Sequence, residues 1–443
     1  MKHQRKLIIG AVCALATGLG SPPTLFQASA QEGPYVSKDE YQKLQREHEQ
    51  LKQELQQIKT MLQNGVAKAP GTNAAAMPAG SGDPAANEPD KSSNDPLSLS
   101  RYVFPGSTRF LLTGYGSAGF ESLSHSDAAF NAQFNPLFLW KVSDRLLFEG
   151  ELELELEDSE TETKLEQAHL SYLANDYVTF DAGKFLNPMN SFVERYHMAW
   201  VNRLPDKPLA VYDGLLPETY VGAQLRGGIP LGSTRLNYAA FIANAPKLVT
   251  GVGPDDEFES LGTLDFDNFS NEGGSIASGG HIGFLPIPEL EIGYGIHYSG
   301  LADSDEDAFL HSVDLNYVRD SDALRGLLRV SAQWVWSQVG NGTYDNDGTP
   351  LVFRNDRDGG YAQLTYRPTK VDSSILRRLE GVFRFDRFNQ RDTPVGYDES
   401  RYTVGLNCWL TPKTVFKAAY QFDDKSDGAQ NNNGVLFQFA TGF

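Results

Sequence analysis

Between residues 145 and 157 the chain reads Arg-Leu-Leu-Phe-Glu-Gly-Glu-Leu-Glu-Leu-Glu-Leu-Glu. Glu149, Glu151, Glu153, Glu155 and Glu157 alternate with Gly150, Leu152, Leu154 and Leu156, a strict period of two. Side chains of a strand point to opposite faces in turn, so one face is a ladder of carboxylates and the other is apolar. The same period returns at Glu289–Ser299, where Leu290, Ile292, Tyr294, Ile296 and Tyr298 take every second place, and at Arg401–Leu410. Applied along the chain, it predicts strands at 109–120, 130–141, 145–157, 163–174, 177–185, 219–226, 233–244, 275–285, 289–299, 308–318, 324–338, 357–367, 376–389, 398–410, 413–423 and 434–443. The connections fall into two classes. Those after even-numbered segments are short, such as Asn175-Asp176 and Thr411-Pro412, whereas 186–218, 245–274 and 339–356 are long and polar. Short turns at one end and long loops at the other predict an all-β fold, a sixteen-stranded antiparallel transmembrane β-barrel.

The first 104 residues follow other periods. Lys2, Arg5 and Lys6 precede an apolar run ending near Leu19, and Ala28-Ser29-Ala30 supplies a small-residue cleavage site, so residues 1–30 are expected to be a signal peptide. In residues 31–64, Tyr41, Leu44, His48, Leu51, Leu55, Ile58 and Leu62 step alternately by three and four, the seam of a helical coiled coil. Residues 65–104 are rich in Ala, Pro, Gly, Ser and Asn and are expected to be a flexible linker, leaving 105–443 for the barrel. The C-terminal segment alternates Val435, Phe437, Phe439, Thr441 and Phe443, and this strand ending in Phe resembles the signature by which the barrel-assembly machinery recognises outer-membrane barrels.

Composition sharpens this picture in three places. A mean hydropathy of -0.38 with no long apolar run excludes a spanning helix, yet suits a barrel whose every strand has one wet face. A net charge of -19 excludes a nucleic-acid partner, because phosphate neutralisation needs a concentrated basic face. The two cysteines, Cys13 and Cys408, and eight scattered histidines offer no metal-ligand spacing, so neither metal nor cofactor is expected. Loss of Lys2, Arg5 and Lys6 with the signal peptide would bring the chain to -22.

From Arg109 onward the chain resembles the trimeric sixteen-stranded porins of Gram-negative outer membranes, and among them the phosphate-selective porin family and relatives with an N-terminal coiled coil. The likeness is carried by Gly114-Tyr115-Gly116, by Asp181-Ala182-Gly183-Lys184-Phe185 before a long connection, and by Arg401-Tyr402-Thr403-Val404-Gly405-Leu406-Asn407. It implies a homotrimer in the outer membrane, touching lipid and lipopolysaccharide, with the N-terminal segment in the periplasm. It also implies that the connection 186–218 folds inward as a constriction bearing Glu194, Arg195, Arg203, Asp206, Lys207 and Asp213; the alternative is an extracellular cap.

The charge pattern departs from a phosphate pore. Arg329, Arg367, Arg384, Arg401 and Lys417 are expected to line the lumen on strands 11 to 15, opposite the carboxylates of strand 3. An acidic wall facing a basic one would set a transverse field that favours small polar or zwitterionic solutes. Two other functions compete with passive diffusion: a tether in which the coiled coil contacts peptidoglycan, and a lipid hydrolase built on His169 and Ser171, which share a strand face.

Overall fold

The computed structural model describes residues 109–443 except 158–159, 212–214, 253–260, 268, 272, 303–305, 391–395 and 427. The expected signal peptide, coiled-coil seam and linker lie outside the described residues, as do Asp213 and the acidic run Asp255-Asp256-Glu257.

Sixteen long strands form, in the order the alternation predicts: β1 (Phe110–Leu123), β2 (Ala129–Lys141), β3 (Leu146–Glu157), β4 (Glu160–Asn175), β5 (Val178–Leu186), β6 (Thr219–Leu231), β7 (Thr234–Asn244), β8 (Ile276–Ile287), β9 (Leu290–Gly300), β10 (Asp307–Ser321), β11 (Gly326–Asn346), β12 (Thr349–Arg367), β13 (Leu379–Asn389), β14 (Glu399–Thr411), β15 (Thr414–Lys425) and β16 (Gly434–Gly442). Each pairs antiparallel with its sequence neighbour, and β16 pairs with β1 from Tyr115↔Gly442 to Leu123↔Gly434, so the sheet closes on itself. Closure leaves no edge strand, the condition for a sheet to lie in lipid.

Burial is inverted relative to a water-soluble protein. On β9 the buried side chains are Glu291, His297 and Ser299, while Ile292, Tyr294, Ile296 and Tyr298 are 44–52% exposed. On β14, Thr403 and Asn407 are buried, and Tyr402, Val404 and Leu406 are exposed. In water that apolar belt would forfeit about 25 cal/mol for each Å² left wet. In a bilayer it is the face that should be outside.

The turns at one end have two to four residues after β2, β4, β6, β8, β10 and β14, and the connection after β12 is longer, 368–378. At the other end run 187–218 and 245–275. The expected loop 339–356 is a correction: β11 and β12 continue through it as a hairpin, closed by Asp347 and Gly348 with φ of 47° and 81°. Both turn residues are left-handed, the geometry of a two-residue turn that matches strand twist. The Gly and Asn content disguised the strands, but Tyr344 and Phe353 inside the hairpin stack at 4.1 Å. The connection 245–275 packs onto this hairpin through Leu248 and Leu261, and the Leu261 and Gly262 carbonyls accept bonds from Arg357 Nη2 (2.9 Å) and Asn355 Nδ2 (2.6 Å).

Phe443 lies across the seam. Its N–H donates to Gly114 O at 3.0 Å and its ring stacks on Phe134 at 5.7 Å. Two aromatic residues that strand-end position alone would put in a lipid-facing girdle, Tyr361 and Trp409, are only 3% and 4% exposed and face inward, because they share parity with Arg357 and Arg401. Trp140 is exposed, and Trp334 and Trp336 share its outward parity. In single-tryptophan variants, brominated lipid is therefore expected to quench Trp140, Trp334 and Trp336 strongly and Trp409 hardly at all. Equal quenching of Trp409 would reverse the assigned faces.

Candidate functional site

The lumen is crossed by the connection between β5 and β6. Its first residues turn inward because Asn187 Oδ1 accepts from Met189 N at 2.9 Å, and Asn190 Oδ1 caps the short helix α1 (Ser191–Tyr196) by accepting from Val193 N at 3.2 Å. Met189, Phe192, Val193, Leu204 and Val211 are then buried at 0–1% exposure inside the barrel. Phe192 meets Tyr361 of β12 edge-to-face at 5.8 Å. A loop this apolar could not remain an extracellular cap without leaving those side chains in water.

Polar anchors fix it to walls on every side. Towards β11, Gln333 Nε2 donates to Met189 O at 2.7 Å; towards β10, Tyr196 Oη donates to Asn316 Oδ1 at 2.9 Å. Glu194 pairs with Arg226 of β6 (2.9 Å), and Arg195 with Glu291 of β9 (2.8 Å). Arg203 sits 3.5 Å from Glu380 of β13 and 4.8 Å over the Trp409 ring, while its carbonyl accepts from Asn407. Asp206 binds Arg384 Nη2 and lies 3.8 Å from Arg401, and Lys207 O accepts from Arg384 at 3.1 Å. Lys417, fully buried, spends its three donors on Ala199 O (2.6 Å), Leu204 O (3.2 Å) and Gln438 Oε1 (2.7 Å).

The carboxylate ladder of β3 faces the lumen. Glu151 and Glu153 are 1% and 5% exposed; Glu151 accepts from Gln167 Nε2 at 2.8 Å and Glu153 from Gln133. Glu149 and Glu155 are more open; the side chain of Glu157 is outside the described residues. Opposite, all five expected basic residues belong to the inward set, but each is interleaved with acceptors. Arg384 also binds Asp386 at 2.7 Å, and Arg401 binds Asp423 and Glu399 at 2.8 Å each. Arg329 lies 3.5 Å from Glu380, and Arg367 donates to Arg377 O and lies 5.4 Å from the Trp409 ring. This wall is zwitterionic rather than basic. The missing acids were legible: Asp386 and Glu399 lie two residues from Arg384 and Arg401, hence on the same face.

His169 and Ser171 also face the lumen, since outward places on β4 fall to Ala168, Leu170 and Tyr172. His169 Nδ1 has no hydrogen-bond partner among the described residues. An inward pair cannot reach a lipid ester in the surrounding bilayer.

His197, at the C-cap of α1, stands 3.9 Å from Glu151 and donates from Nδ1 to Val193 O. Burial disfavours its charged form, but the Glu151 charge and the Val193 carbonyl outweigh that and hold its pKa above the ordinary value. A raised pKa in the docked state means that docking gains from the proton at low pH and loses it as pH rises through that value. Open-channel noise is expected to rise as pH is raised above the ordinary histidine value of about 6.5, and His197→Gln is expected to flatten the profile. A profile unchanged by the substitution would remove His197 from loop docking.

The lumen keeps open chambers on both sides of the loop. One of about 540 Å³ lies among the short-turn ends of β3 to β9, and a second of about 430 Å³ lies between Asp206-Lys207 and β1, β14 and β16.

No protein-family model matches the chain, and no curated protein matches it. Among solved structures it is similar to the trimer form of OmpT, an outer membrane protein of Vibrio cholerae, at 13% identity and TM-score 0.46, over 75% of this chain and 99% of that one. It is likewise similar to the outer membrane channel DcaP of Acinetobacter baumannii, at 15% identity and TM-score 0.47, over 75% of this chain and 97% of that one. The anion-selective porin of Comamonas acidovorans aligns at 10% identity and TM-score 0.47, over 75% and 99% of the two chains.

Proposed function

We propose that the protein is an outer-membrane porin of a Gram-negative bacterium, through which small hydrophilic solutes or ions diffuse passively. The observation that carries this reading is the inverted burial of a closed sixteen-stranded barrel, apolar outside and charged within. No substrate is transformed: the lumen holds charged walls and a constriction, and these act by selecting what passes. The constriction residues are Glu194, Arg195, Arg203, Asp206 and Lys207, set between the acidic β3 wall and the mixed wall of β11 to β15. The acidity disfavours phosphate as cargo. Assembly as a homotrimer, which the resemblance to trimeric porins implies, is part of this reading. Lipopolysaccharide and lipid cover the remaining belt, the barrel-assembly machinery reads the strand ending in Phe443, and residues 31–64 assemble the trimer or contact peptidoglycan.

Liposome swelling across sugars, amino acids, dicarboxylates and phosphate tests this directly. Neutral and zwitterionic solutes are expected to enter several-fold faster than phosphate of similar size. Swelling no faster than in protein-free liposomes would refute the pore.

A further inference from the structure

The chamber at the short-turn end has two chemically distinct poles. Glu149, Asp181 and His169 on the chamber and Gln224 on its recess present acceptors; Arg195 and Arg226, each paired with a carboxylate that also lines the chamber, present guanidinium groups. A recess of about 300 Å³ continues it between His169, Gln224 and Arg226. The acceptor pole is incompletely satisfied. Asp181 and Gln224 are each 4% exposed, and Asp181 Oδ1, Gln224 Oε1 and His169 Nδ1 have no hydrogen-bond partner among the described residues. The contacts these residues do make are Gln224 Nε2 donating to Asp181 Oδ2 at 2.9 Å, and His169 Nε2 lying 4.0 Å from Glu149. With the imidazole proton on Nε2, Nδ1 is one more acceptor. Orphaned buried acceptors each cost free energy that a positively charged N–H donor can recover.

The donor pole is differently built. Arg195 and Arg226 each bind one carboxylate through Nη2, at Glu291 and Glu194, and their side chains remain 35% and 44% exposed. Five donors on a planar guanidinium leave several free after one such pair, in the fork geometry that suits a carboxylate.

We infer that this chamber is a binding subsite for small zwitterions, which place an ammonium among Glu149, Asp181, Gln224 and His169 and a carboxylate on Arg195 and Arg226. The inference rests on reading the lumen as a solute path and names the solute class that the path retains. A molecule with only one of the two charges leaves the other pole unmet, so it binds more weakly. The subsite sits on the short-turn side of α1, so a solute would be held after passing the constriction from outside.

Calorimetric titration of the full chain in detergent, with 5-aminopentanoate, pentanoate and pentylamine, reads the two poles separately. The aminopentanoate is expected to bind at least about tenfold more tightly than either single-charge analogue, the scale of one charged hydrogen bond. Glu149→Gln/Asp181→Asn should erase its advantage over pentanoate, and Arg226→Gln its advantage over pentylamine. The wild-type comparison stands even where a variant fails to fold. Pentylamine or pentanoate binding as tightly as the zwitterion, or no binding of any of the three, would overturn the subsite. Bilayer conductance of the same preparation separates the two readings. Binding without conductance refutes the pore and keeps the subsite; conductance without binding does the reverse.

Discussion

Substituting Arg384 by Ala is expected to loosen the constriction and raise single-channel conductance, with frequent sublevels in the current. Arg384 is fully buried and holds Asp206, Asp386 and the Lys207 carbonyl at once, so it ties the loop to β13. Its loss leaves two carboxylates facing each other without the cation between them. Breaking a buried pair by removing one partner costs about 3–5 kcal/mol, because an uncompensated charge stays behind. Two or more decades in the docking equilibrium then shift towards an undocked loop. The barrel itself does not depend on this contact, since its ladders close independently, so heat-resistant migration on gels should persist. Arg384→Ala/Asp206→Asn/Asp386→Asn, which removes the stranded charges, should recover most of the quiet, low-conductance behaviour if burial of charge is the cause. Conductance and noise identical to the wild type in Arg384→Ala would mean that the loop is held without Asp206, contrary to the geometry.

How much of this was written in the sequence differs by level. The barrel strands were legible because each lipid-facing residue is paired by periodicity alone with a lumen-facing one: Ile292, Tyr294 and Ile296 against Glu291, Gly293 and Gly295 need no tertiary information. The β11–β12 hairpin was not, because its residues from Gly340 to Arg357 leave the apolar belt, and with it the alternation between lipid and lumen disappears. Its order comes instead from Tyr344 on Phe353 and from the connection 245–275, both non-local. The constriction was half legible. Its charged residues could be named, but the inward fold depends on Phe192, Met189 and Leu204 finding partners on strands more than a hundred residues away. Only Asn190 three residues before Val193 hinted at a helix start. On β11 to β15 the cations alone suggest a basic wall, and the acids of the same parity, Asp386 and Glu399, make it mixed.

The second large effect belongs to β3. Glu151→Gln/Glu153→Gln/Glu155→Gln removes three charges from one wall without changing side-chain shape. Two unit charges about 4 Å apart in water interact with about 1 kcal/mol, and more where water is excluded, so each lost carboxylate changes a passing ion's energy on that scale. The preference for cations is expected to fall at least about fivefold, and most of it at low salt, where screening is weakest. The substitution Glu149→Gln alone should have a smaller effect on ion preference and a larger one on zwitterion retention, since Glu149 lines the chamber. Triple-variant recordings matching the wild type in conductance and ion preference would take the acidic wall out of the account.

The mixed charges of the opposite wall bear on the same point. With Arg384, Arg401 and Arg329 each beside a carboxylate, that wall supplies local dipoles more than net positive charge. The lumen's overall sign is then set by β3 and by the acidity of the chain as a whole. A transverse field survives in weaker form, between the acidic ladder, where His197 stands beside Glu151, and a nearly neutral wall.

The reversal potential of the full chain in a planar bilayer, under a potassium chloride gradient, tests this most directly. Stepwise, ohmic conductance is expected, with a cation preference that grows as salt is lowered. Absence of conductance, or a preference for chloride, would contradict it.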